Sequence, residues 1–179
     1  KHIAAETTAV GALMLDSLLK AANLSASDVK IEYLPPANHE DAYLRNDIDA
    51  MVTFEPYSSK LADVGAQVLF DSSQISGQIV DVLVFNRQLV NNQDKRIGSV
   101  IDGYFKARKL IIEHDSHAFT VVNQRLRLPP EQLPKVYSQL IFPSPEENRR
   151  QLSGEHSYLS RTANELAELM SRQHLISRK

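Results

Sequence analysis

Residues 2–34 read HIAAETTAVGALMLDSLLKAANLSASDVKIEYL, and this stretch decides the fold. His2-Ile-Ala-Ala5 is a short apolar run that reads as a strand. Thr7 or Thr8 can cap a helix reaching about Ala22, in which Val10, Leu13, Met14, Leu18 and Ala21 recur at helical spacing. Asn23 suits its end. Val29-Lys-Ile-Glu-Tyr-Leu34 alternates as a strand does and is stopped by Pro35-Pro36. Strand, helix and strand in so short a space are the unit of a parallel sheet covered by helices.

The pattern continues outward. Asn38 can cap a short helix through Leu44, and Ile48-Asp-Ala-Met-Val-Thr-Phe54 reads as the next strand. Pro56 suits the first turn of a helix to Val64, which Gly65 ends. Ala66–Phe70 and the β-branched run Ile79-Val-Asp-Val-Leu-Val-Phe85 read as two further strands. Beyond residue 86 the periodicity turns helical. Ile97, Val100, Ile101, Tyr104, Phe105, Ala107, Leu110 and Ile111 share one face of a long helix. Phe119, Val122 and Leu126 suggest a second, and Pro129-Pro130 opens a third. Ser144-Pro-Glu-Glu147 is a capping box opening a fourth. Leu159, Ala163, Leu166, Ala167, Met170 and Ile176 mark a last helix.

Charge divides the chain at the same place. Residues 1–85 hold 5 basic and 12 acidic side chains; residues 86–179 hold 15 and 10. The expected organisation is an α/β lobe over 1–80, then a returning strand and a helical part over 81–179. Those helices have no strands of their own, so the sequence predicts either a covering partner chain or repacking. With no Cys, the chain has no disulfide, thiolate metal site or Cys nucleophile. A net charge of −2 argues against general affinity for nucleic acid. No apolar run reaches the ~20 residues of a membrane helix. The opening on a strand at Lys1 leads us to expect a piece of a longer parent.

In an α/β sheet, ligands lie outside the carboxyl ends of the strands. Thr7 and Thr8 stand where a strand becomes a helix, where N–H groups and the helix dipole attract an anionic oxygen; capping alone also accounts for them. Glu6 beside them opposes a purely anionic ligand. Glu55 follows a strand end and can pair with a ligand ammonium or an aminopyrimidine nitrogen, or simply serve the helix dipole. Tyr57 can stack on a planar ligand, and His39 can face the cleft. Asp81 in an apolar strand needs a partner, either a cationic ligand group or a salt bridge. His114-Asp-Ser-His117 lacks the distant third ligand of a metal site and is no catalytic triad. Ser153-Gly-Glu155-His156 reads as a loop on the same grounds. Arg149-Arg150 and Arg178-Lys179 read as solvated faces.

The order of these pieces resembles one family, the periplasmic solute-binding proteins of ABC importers, in the branch for nitrate, sulfonates, taurine and thiamine-precursor pyrimidines. Ile3-Ala-Ala-Glu-Thr-Thr8 resembles the strand and helix start that open the second lobe. Asp47-Ile-Asp-Ala50 resembles a "G-x-iDA" strand, with Asn46-Asp47 where Gly is usual. Phe54-Glu-Pro56 resembles an "EP" turn, Gly65-Ala-Gln-Val-Leu-Phe-Asp71 a following strand, and Val80-Asp-Val-Leu-Val84 the strand returning to lobe one. Phe105-Lys-Ala107, Pro145-Glu-Glu-Asn148 and Thr162-Ala163 to Met170 resemble its later helices.

The resemblance implies a type 2 periplasmic-binding fold whose first stretch is missing here. It further implies a small ligand held between two lobes, delivery to a membrane permease, a periplasmic or membrane-anchored extracellular location, no cofactor and no enzymatic activity. The mixture of helix-start donors and carboxylates leans toward a zwitterion or a cationic heterocycle. An incomplete lobe could also join copies into an oligomer. A ligand-binding sensor domain of a membrane signalling protein is the alternative reading. A pyrimidine-synthesis enzyme family shares the fold but uses a Cys-rich iron-binding segment, which this chain lacks.

Overall fold

A computed structural model describes residues 1–92, 94–154 and 157–177. The chain forms two compact units, Lys1–Val80 with Tyr158–Lys179 and Asp81–Ser157. The last helix therefore belongs with the first unit, not with the 81–179 grouping read from the sequence.

The first unit is built on three parallel strands in the order β2-β1-β3: β1 (His2–Ala5), β2 (Lys30–Tyr33) and β3 (Ala50–Met51). Ile3 pairs with Ile31 on one side and Ala50 on the other. The central strand is covered on both faces, and its side chains alternate accordingly. Ile3 and Ala5 pack with Leu15 and Leu19 of α1 (Ala9–Ala21) and with Val52. Ala4, on the opposite face, packs with Ala42 of α2 (His39–Leu44) and with Ile48. Small side chains at Ala4 and Ala5 let the helices approach the sheet closely. α3 (Tyr57–Asp63) packs beside α2, and α9 (Tyr158–Arg172) packs beside α1.

The ends of α1 are set locally. Thr8 is the N-cap, its hydroxyl accepting from the Gly11 N–H. At the other end Asn23 takes a left-handed φ of 55°, with Asn23 N–H on the Lys20 carbonyl and Leu24 N–H on the Leu19 carbonyl. That is a Schellman motif, in which Asn substitutes for the usual Gly. Gly65, at φ 95°, closes α3 by the same pair of bonds.

Two expected strands do not form. Residues 66–70 and 79–85 carry no strand pairing. Leu69 is 74% exposed and Val84 79%. Both runs have strong β composition, but a strand exists only when a neighbour completes its ladder, and among the described residues nothing pairs with either.

The second unit is helical: α4 (Arg87–Asn91), α5 (Lys95–Ile112), α6 (Ser116–Leu126), α7 (Leu133–Ser138) and α8 (Pro145–Leu152). α4 has no counterpart in the sequence reading. The helices make a small core of their own, in which Phe119, Leu128 and Leu133 are buried against Ile111, Val136 and Tyr137. Most of the apolar face of α5 takes no part, and no residue of α5 is fully buried. The capping box at Ser144 is present. Glu147 N–H lies 3.2 Å from the Ser144 hydroxyl, and the Ser144 N–H donates to the Glu147 carboxylate at 2.7 Å.

Candidate functional site

Because the three strands run parallel, their carboxyl ends deliver three turns to one edge of the first unit. β1 leads to Glu6-Thr7-Thr8, β2 to Leu34–Asn38, and β3 to Val52–Pro56. The ladders extend into these turns, with Leu34 N–H on the Ala5 carbonyl and Val52 N–H on the Ala4 carbonyl. This edge therefore gathers Thr7, Thr8, His39, Glu55 and Tyr57, five of the six expected site residues.

Thr8 serves the helix. Its oxygen accepts from Gly11 N–H at 3.2 Å, and its hydroxyl donates to Glu6 Oε1 at 2.5 Å. Both threonines are exposed, but the Thr8 donor and one of its lone pairs are used within the turn, so Thr7 is the hydroxyl of the pair that the helix cap does not engage. Gly11 packs against the same turn, and a Cβ there would collide with the Glu6 carbonyl oxygen and Cγ. The sequence signal for this contact is a Gly inside an otherwise apolar helical pattern.

His39 does not face solvent. Its side chain is 0% exposed, so it does not open onto a cleft as the sequence suggested. Nε2 lies 3.2 Å from the Leu34 carbonyl oxygen and Nδ1 lies 3.1 Å from Thr53 Oγ1. The ring thus ties the turn after β2 to the turn after β3. Burial lowers its pKa below the ordinary 6.5, and the Leu34 carbonyl and the Glu6 carboxylate oppose that shift. Leu34 and Thr53 hydrogen-bond the ring and Glu6 acts on it electrostatically, so all three turns bear on this imidazole. Thr53 is the residue the sequence undervalues; there it is only one position of the expected strand over 48–54.

Glu55 is half-buried, and its Oε2 receives Ser59 N–H at a long 3.4 Å, an acid at a helix start. The Glu55–Pro56 peptide is cis. Phe54 and Tyr57 meet edge to face at 6.0 Å, and Lys60 Nζ stands 6.0 Å from the Tyr57 ring centre. Two aromatic rings from the residues around Glu55 therefore pack on each other here, and Phe54 is exposed.

Asp81 is the first residue of the second unit, and it is exposed in a segment without regular secondary structure. The apolar strand expected around it is not formed, so burial places no demand on its charge. The histidines at 114 and 117 also have a local account. His114 is the left-handed residue closing α5, and Asp115 caps α6 by accepting from Ala118 N–H. Among the described residues no group of three or more His, Asp or Glu could hold a metal ion. Glu155, His156, Arg178 and Lys179 lie outside the described residues. Among the described residues no helix is long and apolar enough to cross a membrane.

A concavity of about 530 Å³ lies elsewhere, between α1, residues 70–78 and α9. Leu13, Lys20, Phe70, Ile75, Glu165 and Arg172 are among its lining. It is an open groove. The strand-end edge remains the better candidate because polar groups from three turns converge there.

Residues 2–122 match the model of the NMT1-like family. Two solved structures share the fold. The periplasmic aliphatic sulphonate binding protein SsuA of Escherichia coli is 20% identical with a TM-score of 0.74. The alkanesulfonate-binding protein SsuA of Xanthomonas axonopodis pv. citri, bound to MOPS, is 20% identical with a TM-score of 0.71. Each match covers 99% of this chain and 59% of the other. No curated protein sequence matches. The fold is the α/β fold of type 2 periplasmic-binding proteins.

Proposed function

The chain belongs to the NMT1-like family, and from that premise we propose that it is the solute-binding part of an ABC-type importer, not an enzyme. It works outside the cytoplasmic membrane and passes a small solute to a membrane permease. The ligand class is a small sulfonate or a taurine-like zwitterion, with nitrate and aminopyrimidines as the other members of the set. The single observation that carries the reading is the meeting of three turns at the carboxyl edge of the sheet. There a helix start, an exposed Thr7 hydroxyl, the carboxylates of Glu6 and Glu55 and an aromatic pair stand together.

Each group has a role that follows from its chemistry. Thr7 and the helix start at α1 suit an anionic oxygen. Glu55 suits a cationic or N–H-bearing group. Tyr57 gives the ligand an apolar wall and a phenol.

The test is thermal denaturation of the chain against taurine, alkanesulfonates, nitrate, bicarbonate and aminopyrimidines. Ligand at 100 times its Kd adds about 2.7 kcal/mol, which for a chain of this size raises Tm by roughly 5–10 °C. A cooperative melt that none of these compounds shifts would overturn the proposal.

A further inference from the structure

Thr53 is half-buried at the same edge, and its hydroxyl touches the buried ring of His39. The direction of that bond follows from what stands on the other side of the ring. The Leu34 carbonyl oxygen can only accept, so Nε2 must carry the proton that lies between them. In the neutral imidazole Nδ1 then holds a lone pair. The hydrogen bond to Thr53 can run one way only, from the Thr53 hydroxyl to Nδ1. Full burial of the ring favours this neutral form, and the lowered pKa agrees with it. The donor of Thr53 is therefore spent inward, and what its oxygen offers outward is lone pairs. Glu6, which acts electrostatically on the same imidazole, is likewise an acceptor, with one oxygen already taken by Thr8.

We propose that His39 is a positioning residue that holds the Thr53 hydroxyl as a hydrogen-bond acceptor, so that this edge selects ligands carrying an N–H donor over isosteres that lack one. The inference rests on the solute-binding reading above and deepens it by assigning the polarity of one contact. A ligand ammonium finds the Thr53 oxygen and the Glu6 carboxylate pre-set to receive it. A methyl group in the same place offers no donor to the remaining lone pairs of either, and a ligand oxygen without a proton meets only lone pairs. A site built to hydrogen-bond rejects the analogue that lacks the group more strongly than an apolar pocket could.

The experiment uses the whole 179-residue chain and two probes of nearly equal size, 2-aminoethanesulfonate and ethanesulfonate. Titration calorimetry gives each Kd in the wild type, in Thr53→Val and in Thr53→Ser. The wild type is expected to favour the amine by about 10- to 100-fold, the range of one charge-assisted hydrogen bond. Thr53→Ser keeps that preference. Thr53→Val reduces it to about threefold or less, chiefly by weakening the amine. Equal affinity for both probes in the wild type overturns this inference and leaves the solute-binding reading standing. Binding of neither probe overturns the inference.

A second readout addresses His39 directly and needs no ligand. ¹⁵N-histidine correlation spectra at neutral pH should show Nε2 protonated and Nδ1 unprotonated. The Nδ1 resonance should shift toward a bare lone pair in Thr53→Val and stay in Thr53→Ser. An Nδ1–H tautomer, or an Nδ1 shift indifferent to Thr53→Val, overturns the assignment.

Discussion

Gly11→Ala perturbs the candidate site through the backbone alone. Gly11 is the third residue of α1, and its N–H is the one that Thr8 caps. In a helix an Ala normally stabilises over Gly, by up to about 1 kcal/mol. Here the added Cβ meets the Glu6 carbonyl oxygen and Cγ. The Cγ can swing aside, but the carbonyl belongs to the turn that follows β1 and is held by the ladder behind it. Overpacking against such a neighbour costs about 1–3 kcal/mol. The net expectation is a loss of about 1–2 kcal/mol, or a fall in Tm of roughly 2–8 °C. Gly98→Ala and Gly103→Ala are the internal controls, because a Cβ at either helical position meets nothing within 4 Å. Those two should stabilise by about 0.5–1 kcal/mol. Urea unfolding followed by circular dichroism measures all three, and hydrogen exchange of the α1 amides assigns the Gly11 effect to the first unit. If Gly11→Ala is neutral or stabilising like Gly103→Ala, the close approach of α1 to the Glu6 turn is not as described.

Three further outcomes can be measured alongside. Leu15, 2% exposed in the α1-to-sheet core, should cost about 2–5 kcal/mol as Ala, whereas exposed Val84→Ala should stay within about 0.5 kcal/mol in the same urea melts. The lowered pKa of His39 makes stability depend on pH: above its unfolded value of about 6.5 both states are neutral and the native contacts are fully present. As pH falls below that value the unfolded chain takes up a proton the folded chain refuses, so stability drops toward the lowered folded pKa. Urea midpoints between about pH 7.5 and 5.5 should fall more steeply in the wild type than in His39→Gln, and parallel profiles would refute this. Ser144→Ala removes the acceptor of the α8 capping box and should cost about 0.5–2 kcal/mol, seen as faster hydrogen exchange in the first turn of α8; unchanged exchange there would mean the box contributes nothing.

Much of the first unit was legible because its signals are short in range. Thr8 caps α1, Asn23 ends it, and Gly65 ends α3, each by bonds that close within five residues. The unbroken apolar run Ile3-Ala4-Ala5 suits a strand covered on both faces, and the structure supplies α1 and α2 to cover it. The candidate site was legible to the same depth. That turns after parallel strands meet at one edge follows from the βα order, and Thr7, Thr8, Glu55 and Tyr57 fall there for that reason.

What each side chain does at that edge was not legible. His39 reads from sequence as a cleft residue, and the fold buries it between Leu34 and Thr53, residues 5 and 14 positions away. Nor does β composition at 66–70 and 79–85 make a strand, because the ladder that would hold it must come from another segment. The last helix likewise reads as part of 81–179 and packs instead beside α1. Helix starts, helix ends and the βα order were determined by the sequence alone, since their hydrogen bonds close between near neighbours. Strand pairing, the burial of His39 and the partner of α9 were decided only by tertiary structure, since each depends on which distant residues arrive to complete the contact.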